Sequence, residues 1–187
     1  MNSACMNGTL SLRLAGVVLL TAAAAFCQQQ DVEGWTRIRW GMTVAEAREA
    51  FPGQVSDPRV AAAPDAILID RFIISDILIG RIRAEAAVQT EQDSSQVIAV
   101  RLRAAGPSAS PRERTNTFSA LKQLLIVKYG TPQNEDHSPD GTGTTDSRVF
   151  WVFPSTSITL WWNEQTGGPG FVSIHYEALD RKALDSL

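Results

Sequence analysis

The sequence predicts an α+β protein in which two α-β-β-β repeats form one antiparallel sheet with the helices on one face. Twice along the chain, a helical segment is followed by segments in which apolar and polar residues alternate. Such alternation is typical of half-buried strands. A single α-β-β-β unit cannot bury the apolar face of its sheet, so two units that share one sheet are expected.

The first predicted repeat covers residues 35–105 and begins with a short helix. Thr43 and Glu46 have the spacing of a capping box, and Pro52-Gly53 ends the helix. Three strands are expected after it, in Ile67–Ile79, Arg81–Val88 and Val97–Arg103. Their alternation predicts a set of core residues: Ile82, Ala84, Ala86, Ile98, Val100 and Leu102.

The second predicted repeat covers residues 111–177. A helix from about Arg112 to Tyr129 should end at Gly130, because glycine is favoured just after a helix. Three strands are expected next, in Val149–Phe153, Ser157–Asn163 and Phe171–Tyr176. We expect Gln133–Ser147 to be a polar, mobile segment and residues 178–187 to form a short helical tail.

The composition excludes several classes of protein. The 187 residues include 17 Lys and Arg, 20 Asp and Glu, and only two Cys, and 44% are hydrophobic. Such a chain is too apolar for intrinsic disorder and too poor in cysteine for a disulfide scaffold. It also lacks the basic excess of a nucleic-acid binder, so no nucleic-acid partner is expected.

Residues 1–27 have the pattern of a signal peptide, and residues 28–34 that of a short polar linker. Arg13 precedes the uncharged run Leu14–Phe26, whose 13 residues fall short of the roughly 20 needed to cross a bilayer. The alternative is a buried N-terminal helix, which the apolar residues on every side of the run disfavour. The sequence therefore predicts an exported protein, periplasmic or secreted.

Cys27 occupies the position of a lipidated cysteine at the end of this run. A lipobox favours a small residue before the cysteine and Leu three positions before it, where this chain has Phe26 and Ala24. Ordinary cleavage after Ala25 or Cys27 is thus the main expectation, and lipidation of Cys27 the alternative. A lipid there would be the only contact with a membrane and would anchor the chain to the outer membrane.

Two short motifs carry a resemblance to known proteins. Trp40-Gly41-Met42-Thr43 opens a helix that ends in Phe51-Pro52-Gly53, and Lys128-Tyr129-Gly130-Thr131-Pro132 precedes an aromatic strand. The region 35–177 thereby resembles uncharacterised exported bacterial proteins and the β-lactamase-inhibitor-protein-like fold, which small outer-membrane assembly lipoproteins of the SmpA/OmlA type share. The resemblance implies the repeat fold. It does not imply inhibition, because the disulfides and inhibitory loop of the known inhibitor are missing.

The sequence offers little for catalysis or metal binding. No G-x-S-x-G elbow occurs, and His137 and His175 lie in no recognisable ligand or triad pattern. Asp136–Thr144 matches part of a calcium loop, but Ser147 stands where a bidentate Glu is needed. We therefore expect no enzyme activity, no metal and no cofactor.

Four arginines form the first candidate binding site. If the turn between their strands centres near Gln92-Asp93, Arg83 faces Arg101 and Arg81 faces Arg103. Like charges directly opposite each other destabilise a strand pair, so an anion is expected nearby. That anion is either a ligand with a carboxylate, phosphate or lipid headgroup, or an internal partner. The internal candidates are Asp70, Asp76, Glu85 and strands of the other half.

Trp161 is the second candidate. Adjacent residues of a strand point to opposite faces, and the parity of Ile158 and Leu160 predicts that Trp162 is inward and Trp161 outward. An outward Trp either stacks on a sugar or a partner's side chain, or packs against a neighbouring loop.

These observations favour a non-enzymatic, exported binding or envelope-associated module that acts through its sheet face and loops. The expected partner is another envelope protein or envelope component. A secreted or periplasmic hydrolase with an unrecognised site is the alternative, and a mainly structural envelope protein is a third.

The leader generates the first testable prediction. Because the apolar run ends in small residues, the mature chain should begin at or near Phe26–Gln28 and lie outside the cytoplasm. N-terminal sequencing of protein from fractionated cells checks this. Recovery of Met1 or Met6 on soluble cytoplasmic protein would contradict it.

Overall fold

The computed structural model of the chain describes residues 31–59, 63, 65–106, 108–139, 144–165 and 170–179. The predicted signal peptide, including Cys27, and residues 180–187 of the predicted tail lie outside these residues. Among the described residues, no helix is both long and apolar enough to cross a membrane.

The described chain is mostly antiparallel sheet with two helices, which confirms the α+β class. The first half contains β1 Gly34–Trp35, β2 Ile38–Arg39, α1 Val44–Glu49, β3 Val55–Ser56, β4 Leu68–Ile79, β5 Ile82–Glu91 and β6 Ala99–Ala105. The second half contains α2 Pro111–Tyr129, β7 Asn134–Pro139, β8 Thr144–Val152, β9 Thr156–Gln165 and β10 Phe171–Ala178.

Eight strands form one sheet in the order β3-β4-β5-β6-β10-β9-β8-β7, and β1 pairs with β2 as a separate two-stranded ribbon. Every pairing in the large sheet is antiparallel. Each half thus supplies four neighbouring strands and not the predicted three, because β3 and β7 add one strand at each edge of the sheet. The halves meet where β6 pairs with β10, with Leu102 opposite Ile174.

The described residues of Gln133–Ser147 lie mostly in strands, where the sequence predicts a polar, mobile segment. Its first part forms β7, an edge strand in which Asp136 pairs with Arg148 of β8. The side chains of residues 134–138 are all exposed. A strand exposed on both faces carries no apolar alternation, and charged residues and proline are typical of edge strands. The predicted tail is also wrong at its start, because Ala178 belongs to β10.

Both helices begin with a capping box. At α1 the Thr43 hydroxyl oxygen accepts from the Glu46 amide at 3.3 Å, and Glu46 accepts from the Thr43 amide at 2.8 Å, as predicted. Ser110 and Glu113 make the same pair of bonds at α2. The Ser110 amide and hydroxyl both donate to the Glu113 carboxylate, which lowers the pKa of Glu113. Gly130 ends α2 with φ +83°, a conformation that favours glycine.

One apolar core lies between the helices and the inward side of the sheet. The largest helix residues in it are Phe118, Leu121 and Leu125 of α2. The strands supply alternating residues from both halves: Ala86, Val88, Val100, Leu102, Val149, Trp151, Ile158, Leu160 and Ile174.

The predicted inward set is largely confirmed, since Ala84, Ala86, Val100 and Leu102 are buried. The prediction for Ile98 is wrong, because this residue precedes β6 and is only half-buried, whereas Val97 is fully buried. The main chain of Val97 pairs with residues 41 and 42, which turns this position inward before β6 begins.

The core position of Leu125 generates the second prediction. Leu125 is 3% exposed and Val127, two residues further along α2, is 86% exposed. Leu125→Ala should lower the free energy of unfolding by about 2–5 kcal/mol, as truncations of buried leucine do. Val127→Ala, the matched control, should lower it by less than about 0.5 kcal/mol. Denaturant unfolding measures both, and a loss for Leu125→Ala as small as the control's would contradict the packing.

Candidate functional site

The two faces of the sheet differ in whether helices pack against them. The inward residues meet the helices, as Trp162 does where its ring lies 5.7 Å from that of Phe118 of α2. The opposite face, here called the outer face, is lined by residues of the other parity. It comprises Glu85, Ala87, Gln89, Arg101, Arg103, Arg148, Trp161, Ser173 and His175. The apolar contacts of α1 and α2 in the described chain belong to the inward core.

The register of β5 and β6 differs from the predicted one. Arg103 lies opposite Glu85 and Arg101 opposite Ala87, so the four arginines do not face one another. The difference arises because β5 continues to Glu91, where the sequence predicts a turn. Thr90 is fully buried and accepts a hydrogen bond from Arg71 at 2.7 Å, which holds this polar end within the sheet.

The other two predicted arginines are not among the residues that line the groove described below. Arg83 is exposed, pairs with Leu78 of β4 and lies two positions before Glu85 on the same face of β5, and Arg81 is exposed in the turn between β4 and β5. Of the four candidate arginines, Arg101 and Arg103 line that groove.

Arg101 has an internal anionic partner. Its Nη2 lies 2.7 Å from Asp70 Oδ2, and Gln89 donates to the other oxygen of Asp70 at 2.7 Å. The side chains of Arg101 and Asp70 are 29% and 26% exposed, so the pair is largely screened from water. Asp70, one of the internal partners that the sequence suggested, is therefore the observed partner of Arg101.

Arg103 is in a different position. It is exposed, and within the described ranges it has no carboxylate oxygen within 4 Å. Its cross-strand neighbour Glu85 lies 3.4 Å from Nη2 of Arg59, whose side chain is 85% exposed. Glu85 is therefore a neighbour of both Arg103 and Arg59, and its contact with Arg59 is long and exposed to solvent.

These side chains line a groove of about 440 Å³ over β4, β5 and β6. Its lining residues are Pro58, Arg59, Ala66, Leu68, Asp70, Ile73, Glu85, Ala87, Gln89, Arg101 and Arg103. They include three guanidinium groups and two carboxylates, which leaves one positive charge in excess. The volume falls within the range of about 300–1,000 Å³ that is typical of ligand sites.

Trp161 points to the outer face as predicted, opposite to Trp162. Its indole nitrogen donates to Asp146 at 2.5 Å, and the guanidinium of Arg148 lies 4.7 Å from its ring centre. Phe171 meets the ring edge-on at 4.8 Å. The ring is already packed by these neighbours, so Trp161 is part of the wall of the outer face and offers little free surface for stacking.

His175 connects the arginine groove with Trp161, and sequence analysis did not identify it. It lies opposite Arg101 on β6, and its ring centre is 5.8 Å from that of Trp161. Its Nε2 is 3.0 Å from the hydroxyl of Ser173. Burial lowers the pKa of His175 to about 4, helped by Arg101 and Arg148 and opposed by Asp70. Its parity with Trp161 could have placed it on this face, but its contacts depend on the pairing of β6 with β10.

In the parts of the chain that the structure describes, no three His, Cys, Asp or Glu side chains lie close enough together to hold a metal ion. Asp136 and His137, which begin the calcium-like stretch, are residues of β7, and Ser147 accepts or donates a hydrogen bond at 2.9 Å with His137.

Comparison with protein-family models, with curated proteins and with solved structures found no match. The geometry of the outer face is therefore the basis for inferring a function.

His175 generates the third prediction. Folding lowers its pKa from about 6.5 to about 4, so between these values the unfolded chain binds more protons than the folded chain. The contribution of His175 to the free energy of unfolding therefore has its full value above pH 6.5 and falls as the pH drops toward 4. Between pH 7 and pH 4.5 this residue should account for a loss of about 2–3 kcal/mol.

Denaturant unfolding of His175→Gln at the two pH values checks this. The variant should lose less stability than the parent on acidification, whereas His137→Gln, which changes an exposed histidine on β7, should behave as the parent does. An unchanged pH dependence in His175→Gln would contradict the lowered pKa.

Proposed function

We propose that this protein is an exported, non-enzymatic binding module that engages another envelope protein or envelope component through the outer face of its sheet. The observation that carries the proposal is the groove over β4, β5 and β6, with its excess arginine and its position opposite the helix-packed core. Export is part of the same proposal and rests on the leader sequence, with ordinary cleavage after Ala25 or Cys27 and with lipidation of Cys27 as the alternative.

The chemistry of the groove supports an anionic contact group. Guanidinium groups present planar pairs of donors that match the oxygens of carboxylates and phosphates. Arg103 is exposed and Arg59 is held at 3.4 Å by one carboxylate, so both can turn toward an incoming anion. Arg101 is fixed by Asp70 and contributes a positioned charge.

The same face argues against the hydrolase alternative. Ser173 and His175 lie within hydrogen-bond distance, the arrangement that a serine nucleophile and its base require. Ser173 is only 3% exposed, however, and a histidine with a pKa near 4 is a weak general base at neutral pH. Both groove carboxylates are ion-paired, which favours a binding role for them over acid–base chemistry.

We also propose that the two halves are duplicated units with the β-lactamase-inhibitor-protein-like arrangement that the sequence motifs suggest. Each half has a helix opened by a capping box, followed by four consecutive strands in the large sheet. In each half the last strand lies at the centre of the sheet.

Affinity capture tests the binding function and supplies the fourth prediction. The mature chain, beginning at Gln28, is immobilised and exposed to solubilised native envelope, and retained molecules are identified by mass. Arg103→Gln should reduce capture about tenfold or more, because a hydrogen bond to a charged group is lost. Arg112→Gln, which changes an exposed arginine on α2, is the matched control and should capture as the parent does. Equal capture by well-folded Arg103→Gln would contradict the proposal.

A further inference from the structure

The geometry of the groove points to its ligand class, and we propose that it binds an amphipathic monoanion: one carboxylate or phosphodiester group joined to a slender apolar body. The anionic group lies at Arg103, and the apolar body extends over Ala87 beside Ile73. This inference rests on the proposed function and names the ligand that the outer face takes.

The position of the anion follows from which guanidinium groups are already neutralised. Both oxygens of Asp70 are engaged, one by Arg101 and one by Gln89, each at 2.7 Å. Glu85 contacts Arg59 at 3.4 Å and lies across from Arg103. Two carboxylates therefore serve three arginines, and the unmatched charge is at the Arg103 end of the groove.

The number of charges on the ligand follows from the same arrangement. A group with one negative charge balances the excess guanidinium, whereas a dianion or a polyanion would bring further negative charge against Asp70 and Glu85. The chain as a whole has a formal charge of −3, which adds to the repulsion of polyanions.

The apolar body is inferred from the other lining residues. In the register of β4 and β5, Ile73 lies opposite Ala87, and Asp70 lies opposite Gln89. Glu85, opposite Arg103, and Gln89 are four positions apart on β5, so the apolar part of the groove spans about 13 Å between Arg103 and the polar cluster at Asp70. Ala87 is 6% exposed and its small side chain leaves the floor low between Ile73 and Arg101.

A ligand that uses both parts of the groove gains from each of them. Its apolar body removes the exposed surface of Ile73 and Ala87 from water, which contributes in proportion to the area covered. Its anion gains charge-assisted hydrogen bonds from Arg103. Neither part alone should bind well, because the anion by itself is exposed to solvent and the apolar body by itself leaves Arg103 unmatched.

Calorimetric titration of the folded mature chain with four probes tests this. Octanoate and methyl octyl phosphate, a phosphodiester with one negative charge, carry both parts and distinguish a carboxylate source from a phosphate-ester source. Octanamide lacks the charge, and acetate lacks the apolar body. We expect saturable one-to-one binding of octanoate, methyl octyl phosphate or both, at least tenfold tighter than octanamide or acetate.

Variants locate the binding in the groove. Arg103→Gln should weaken the better amphiphile at least tenfold, because the anion loses its partner. Ala87→Leu should also weaken it at least tenfold, because the longer side chain fills the floor. Ala87→Val is the second variant should Ala87→Leu unfold, and Arg112→Gln is the control that should bind as the parent does.

Equal binding of octanoate and octanamide would overturn the inference, as would amphiphile affinity that Arg103→Gln and both Ala87 variants leave unchanged. Failure of both amphiphiles to bind at millimolar concentration would overturn it as well. In that last case capture of an envelope component that still depends on Arg103 would retain the proposed function, so the two failures are distinguishable.

Discussion

The pairing of β6 with β10 is the constraint on which the rest of the structure depends. It joins two sets of four strands into one sheet and places Leu102 beside Ile174 under the helices. Because side chains alternate between the faces of a strand, the same register places Arg101 beside His175 and Arg103 beside Ser173 on the outer face. The core and the candidate site are thus two consequences of one set of main-chain hydrogen bonds, and a slip of one residue would exchange them.

The ion pairs of the molecule differ in what they contribute. Arg114 of α2 is 4% exposed and forms a bidentate pair with Glu164 of β9, at 2.7 and 2.5 Å, which attaches the helix to the sheet. Removing Glu164 should destabilise the fold, because the Arg114 side chain, which is 5% exposed, would lose its carboxylate partner. The pair between Arg59 and Glu85 is exposed and contributes little stability. Because this pair is weak, the Arg59 side chain can move. The stability of the fold comes from the core.

Several local features were predictable from the sequence. The capping box at Thr43, the end of α2 at Gly130 and the inward parity of the central strands all depend on residues close together in the chain. The helix start at Ser110 has the same signal as Thr43 and was available to the same argument. The β7 strand was not predictable, because an edge strand exposed on both faces has no periodic pattern. It is held by hydrogen bonds to β8 and by the ion pair of Glu135 with Lys122 of α2, which are both contacts with distant parts of the chain.

The sequence by itself determined the α+β class, most strand positions and the outward orientation of Trp161, because periodicity and capping act over a few residues. Only the tertiary structure decided which arginines meet an acid. Asp70 and Arg101 lie on strands that are separated in the sheet by β5, and a turn that begins later than expected, after Glu91, places Arg103 opposite Glu85 and not opposite Arg81. Register depends on how many residues a connection uses and on the burial of residues such as Thr90, and neither is expressed in local alternation. The charge of the groove is therefore a property of the paired strands and of no single segment.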